Sequence, residues 1–114
     1  MNTQKRLHTL DQIKRAAKAA GSHWFDAAAL RYFSSRISNH VYSVPGGALF
    51  ISSEQYRGYG SPDGPRLYTV RSCSFEGAID TVGEFQQYET SKAAHAAALK
   101  LAMADYTLSS EAAQ

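Results

Sequence analysis

Four histidines (His8, His23, His40 and His95), one cysteine (Cys73) and two serine pairs (34–35 and 52–53) are the side chains that could ligate a metal, relay a proton or attack a carbonyl. Zinc sites legible in sequence repeat His or Cys at short offsets, so that one element presents two ligands. No His-x-x-x-His pair exists here, which leaves only a site assembled from distant histidines. Cys73 falls mid-strand among core positions, as a small buried apolar group does, and not in the setting of a nucleophile. The serines lack a nucleophile-elbow context. Gly58-Tyr59-Gly60 is superficially similar to a phosphate-binding glycine loop, but the Lys-Ser/Thr pair and the strand-to-helix setting are missing. The expectation is a non-enzyme with no cofactor and no metal.

Residues suited to recognition are more evident. Tyr56, Arg57, Tyr59 and Arg66 lie on or beside one long loop. Tyr and Arg dominate interface hot spots because each joins a large contact area to a polar handle. Tyr56 and Tyr59 have two readings: contact residues, or side chains folded back over the open end of the core. Lys14, Arg15 and Lys18 share one face of the first helix, either a partner-binding face or simply a solvated one. Trp24 and Phe25 are core residues or an exposed anchor.

At 114 residues the chain has the size of one domain. With 44% hydrophobic and 19% charged residues it is globular, neither disordered nor membrane-like. Much of the apolar content is alanine, which buries little area. Seven Tyr, five Phe and the single Trp must therefore supply most of the core. The formal charge of +2 is too small to imply nucleic acid, but it is unevenly spread. Lys5, Arg6, Lys14, Arg15, Lys18, Arg31 and Arg36 face only Asp11 and Asp26 in the first third. From residue 76 onward, Lys92 and Lys100 stand against Glu76, Asp80, Glu84, Glu89, Asp105 and Glu111. Such a dipolar layout steers an acidic partner to one end, or reflects the two ends pairing with each other. A lone cysteine makes no intrachain disulfide and suits a reducing cytosol. Lys5 and Arg6 lead into no apolar run and no stretch nears 18 apolar residues, so a soluble, cytoplasmic protein is expected.

The elements that position these residues follow from periodicity. Residues 1–8 read as a flexible lead-in, 9–107 as one domain and 108–114 as a polar tail. Thr9 with Gln12 forms a capping box, Leu10, Ile13, Ala17 and Ala20 recur at helical spacing, and Gly21 ends the helix. Asp26 caps a second helix, with Phe25 and Leu30 as a hydrophobic staple. Residues 34–39 are turn-rich and end it. The period then changes to two: strands at 41–44 and 48–53 flank a Pro45-Gly46-Gly47 turn, and the loop 56–65 leads to a strand at 66–75. In that strand Leu67, Thr69, Arg71, Cys73 and Phe75 point one way. A fourth strand spans 78–82. The last helix begins at Thr90 or Ser91 and runs to about Tyr106, with Ala94, Ala98, Leu101 and Met103 inward. The fold class is α+β: a three- to four-stranded antiparallel sheet with helices packed on one face, in the order α-α-β-β-β-β-α.

Two resemblances follow from the residues. The set Ser22-His23-Trp24-Phe25, Arg31-Tyr32-Phe33, Val41-Tyr42, Gly46-Gly47, Phe50-Ile51-Ser52-Ser53-Glu54, Arg66-Leu67-Tyr68-Thr69-Val70-Arg71 and Ile79-Asp80-Thr81-Val82-Gly83-Glu84-Phe85 resembles a family of small uncharacterised proteins of bacteriophages and plasmids. That resemblance implies an accessory protein of a mobile element, of the kind that blocks host defence stoichiometrically, anti-CRISPR proteins included. The order of elements is also similar to the double-stranded RNA-binding domain, whose last helix opens on lysines that contact phosphates. Here that stretch offers Lys92 alone, with Glu84 and Glu89 nearby. The expected function is binding of a host protein or ribonucleoprotein complex through Tyr56, Arg57, Tyr59, Arg66, Lys14, Arg15 and Lys18. The alternative is a nucleic-acid-binding regulator that uses the basic helix.

Overall fold

In the computed structural model, which describes residues 5–32, 34–56, 58, 60–104 and 106–108, the first helix, α1, spans Leu10–Ala19. Thr9 Oγ1 accepts the Gln12 N–H at 3.1 Å, and Gln12 Oε1 accepts the Thr9 N–H at 3.2 Å, so two otherwise orphaned donors are satisfied. Ile13 and Ala17 face inward, and Gly21, at φ +83°, turns the chain out of the helix. Helix α2 spans Ala27–Tyr32. The Asp26 carboxylate meets His23 Nδ1 at 2.9 Å, while its carbonyl accepts the Leu30 N–H.

Five antiparallel strands follow: β1 (Arg36–Ile37), β2 (Tyr42–Val44), β3 (Gly47–Gln55), β4 (Arg66–Ser74) and β5 (Ile79–Val82). Helix α3 (Ser91–Met103) closes the fold, its first turn capped by Thr90. The sheet order is β1-β3-β4-β5, with β2 also paired to β3. β1 was read from sequence as turn. It pairs Arg36 with Ser53 and Ile37 with Ser52, and β2 pairs Tyr42 with Leu49, so the two short strands share one edge of β3.

The α+β class and the antiparallel sheet are as the sequence implied. The helices, however, divide between the two faces of the sheet instead of sharing one. Successive side chains on a strand point to opposite faces, and β3 carries large apolar groups in both registers. Leu49 and Ile51, with Val44 and Val70, pack against Ala94 and Ala98 of α3. Ala48, Phe50 and Cys73 pack against Ile13 and Leu7, with Trp24, Phe25 and Ile79 around them. Alanines at 94 and 98 let α3 lie close on the sheet. Met103, expected inward, is 76% exposed: Leu101 and Ala102 of the same turn pack on the core, and Met103 falls on the outer face of α3 with Leu99 and Lys100.

Both ends of the described chain converge on the β2–β3 turn. The Gly46 N–H donates to the Lys5 carbonyl, the Leu7 N–H to the Gly47 carbonyl, and the Leu108 N–H to the Pro45 carbonyl. Leu7, in the segment read as a flexible lead-in, is buried, and Leu108 packs on the α3-side core. Among the described residues no helix is long and apolar enough to cross a membrane.

Candidate functional site

The basic face of α1 stands free. Lys14, Arg15 and Lys18 are exposed, and Arg15 pairs with Asp11 one turn earlier. Lys14 and Lys18 border a groove of about 480 Å³ against the 22–26 segment, where His23, Phe25 and Asp26 form the far wall. Among the described residues no ion pair joins the basic first third to the acidic last third; the pairs are Arg15 with Asp11, His23 with Asp26 and Arg71 with Glu54. Among the described residues, then, the charge separation is not consumed by pairing between the two ends.

The Tyr/Arg loop lies at the other end of the β3–β4 hairpin. Tyr56 is 68% exposed, so it does not fold back over the core. Arg66 is half-buried, and its Nη1 donates to the Ser34 carbonyl at 2.9 Å, to the Ser53 carbonyl at 3.1 Å and to Ser53 Oγ at 3.0 Å. It ties the α2–β1 connection to β3. Arg57 and Tyr59 lie outside the described residues. The Ala16 carbonyl of α1 sits against Gly77, beside the end where β4 finishes, whereas Tyr56 follows the far end of β3. Eight residue steps of extended chain put about 26 Å between the two ends.

A second concavity involves residues to which the sequence reading gave no role. The α1-side face of the sheet is apolar at one end (Ala48, Phe50, Cys73) and polar at the other, where Ser52, Glu54, Thr69 and Arg71 point the same way. Arg71 Nε donates to Ser52 Oγ at 3.0 Å and its Nη1 to Thr81 Oγ1 at 2.6 Å; Nη2 lies 3.6 Å from Glu54 Oε2. The guanidinium carbon is 5.3 Å from the ring centroids of both Trp24 and Phe85, so the cation lies against two aromatic rings. Gln86 holds Phe85 in place: at φ +58° its N–H donates to Thr69 Oγ1 and its Nε2 to the Glu54 carbonyl. Trp24 packs edge-on to Phe25 and Phe50 at 4.8 and 5.7 Å, which makes it part of the core wall. The resulting cleft, about 210 Å³, is lined by Trp24, Leu30, Ser35, Glu54, Arg71 and Phe85. Burial lowers the Arg71 pKa, and the Glu54 carboxylate offsets part of that shift. A signal for this site was present in the alternation that set Arg71 on the same side of its strand as Thr69 and Cys73; the position of Glu54 beside it needed the register of β3 on β4.

On the opposite face Tyr42 Oη lies 2.8 Å from His95 Nδ1, and the His40 ring is 4.5 Å from Tyr42 and 5.8 Å from His95. Burial, with the nearby His40, lowers the His95 pKa, and burial raises that of Tyr42. Both directions keep the proton on Tyr42, so a neutral His95 is suited to accept a hydrogen bond from the Tyr42 hydroxyl. Cys73 faces the other side of the sheet, where burial pushes its thiol up to about 11 and keeps it protonated at neutral pH. Among the described residues no three His, Cys, Asp or Glu side chains are grouped to hold a metal ion.

The model of one protein family, described as "Family of unknown function (DUF7447)", matches residues 9–99. The chain belongs to this family. The match begins at the Thr9 cap and ends within α3, so it spans the whole sheet, the basic face of α1 and the Arg71 cleft. No curated protein and no solved structure matches the chain.

Proposed function

We propose that this DUF7447 protein is a binding module that docks an acidic surface of a partner protein through the α1 groove, without catalysing a reaction. The observation that carries this reading is the pair Lys14 and Lys18, exposed on one wall of a groove whose other wall offers Phe25 and His23. Cations on a rigid helix rim steer an acidic partner, and an adjacent aromatic side chain supplies apolar contact area. Tyr56, exposed beyond the far end of β3, adds to that interface where the partner reaches along the hairpin. The finer reading is an accessory factor of a mobile element in a bacterial host that blocks a defence complex, and it rests on the sequence resemblance alone.

The second reading, a nucleic-acid-binding regulator, uses the same Lys14, Arg15 and Lys18. The salt response separates the two. Contacts to several phosphates lose affinity steeply between about 50 and 200 mM salt. In a gel-shift assay with mixed DNA and RNA over that range, the protein is expected to give no discrete complex. In affinity capture, a partner retained by the wild type and lost by Lys14→Glu/Lys18→Glu supports docking through the groove. Tight nucleic-acid binding that fades with salt would replace the protein partner by a nucleic acid.

A further inference from the structure

The two walls of the α1 groove differ in charge, and the difference restricts what can lie between them. Lys14 and Lys18 stand on the α1 wall one helical turn apart, about 6 Å along the axis. Among the described residues neither ammonium meets a carboxylate. The opposite wall carries Asp26, paired with His23 Nδ1 at 2.9 Å. Beside it Phe25 is partly buried, its ring fixed against Trp24 and Phe50 at centroid distances of 4.8 and 5.9 Å. One wall therefore attracts carboxylates, while the other repels them and offers a pre-positioned apolar surface.

Volume and spacing set the form of the occupant. A groove of about 480 Å³ lies within the range of ligand pockets, about 300–1,000 Å³, and takes a few side chains at a time. In extended chain, residues i and i+2 point to one side about 6.6 Å apart, close to the lysine spacing, and residue i+1 points to the other. Such a segment addresses both walls at once, which a helix laying a single face into a groove does not. We propose, building on the docking role given to this groove above, that its occupant is an extended segment of the partner protein with the pattern acidic–apolar–acidic. The two carboxylates face Lys14 and Lys18, and the apolar side chain between them packs on Phe25. The reverse placement brings carboxylates to Asp26 and leaves the lysines an apolar neighbour.

Gly21, Ser22 and His23 line the groove, so their backbone amide resonances in the full chain report its occupancy. Titration with four pentapeptides, acetylated and amidated, tests the pattern in about 50 mM salt, where screening is weak. Gly-Glu-Leu-Glu-Gly is expected to shift these resonances with a dissociation constant on the order of 1 mM. Gly-Leu-Glu-Glu-Gly has the same composition but sends one carboxylate toward Asp26, and should bind about ten-fold more weakly. Gly-Glu-Ala-Glu-Gly, with less apolar area to bury, should bind about five-fold more weakly. Gly-Lys-Leu-Lys-Gly should give no shift. Lys14→Gln/Lys18→Gln changes exposed side chains alone and should bind the two acidic orders alike. Equal binding of those two orders, or of the leucine and alanine peptides, by the wild type would overturn the pattern and leave acidic docking standing. A shift from the lysine peptide as strong as that from Gly-Glu-Leu-Glu-Gly would overturn both. No shift with any peptide would overturn the pattern too, and retention of a partner by the wild type but not by Lys14→Glu/Lys18→Glu then decides the docking role separately.

Discussion

Arg71 shows how a single side chain organises a face of this sheet. It sits where the core would otherwise continue, opposite Phe50 in register, yet it is charged and only 11% of its side chain is exposed. Ser52, Thr81, Glu54 and two aromatic rings surround it, so its desolvation is offset on several sides. The two partners of such a pair are unequal when removed singly and together. Arg71→Met leaves Glu54 buried with an uncompensated charge and is expected to lower stability by about 3–5 kcal/mol in urea unfolding. Glu54→Leu combined with Arg71→Met removes both charges and should recover most of that loss. A double variant as unstable as the single one would show that packing around Arg71, not its charge, is what matters.

At the scale of elements, the β2–β3 turn is the point where the chain's ends are fastened. Gly46 has φ +93°, a conformation that L side chains rarely adopt, and a Cβ placed there would fall 1.8 Å from the Leu108 carbonyl oxygen. Left-handed backbone at a non-glycine residue costs about 1–3 kcal/mol, and here the clash with backbone adds to it. Gly46→Ala is therefore expected to lower Tm by at least about 5 °C and to release Leu108 from the Pro45 carbonyl. An unchanged Tm would mean that the turn and the Leu108 contact carry little of the stability. The positions of Tyr56 and of α1 are likewise products of element placement: the long hairpin carries Tyr56 beyond one end and seats the Ala16 turn of α1 against Gly77 at the other, which no local reading of either segment reveals.

For the whole molecule, the consequence of dividing the helices is two cores that share one sheet. β3 and β4 contribute alternate side chains to each core, so neither layer can loosen without exposing the other's floor. Unfolding is expected to be a single transition. Trp24 fluorescence reports on the α1 side and far-UV circular dichroism draws on α3; their urea transitions should coincide within error. A midpoint for Trp24 well below that of the helical signal would mean that the α1 layer opens on its own.

Much of this architecture was legible along the chain because it depends on local geometry. The Thr9–Gln12 box, the Gly21 stop, the start of the last helix at Thr90–Ser91 and the turn at Pro45-Gly46 are short-range arrangements that residue type and spacing placed, although Gly47, read as part of the turn, already belongs to β3. β1 escaped notice because two residues are too few to show a period; it exists through pairing with Ser52 and Ser53. The division of the helices was hidden for a related reason. Strand alternation shows that Leu49 and Phe50 face apart, but not what covers each side. Local hydrogen bonding and side-chain period determined which segments became helix and strand, and which residues shared a face. Only the tertiary structure decided that Glu54 meets Arg71 beneath Trp24 and Phe85, because that meeting depends on strand register and on a turn thirty residues away, and neither is recorded in the spacing of any one segment.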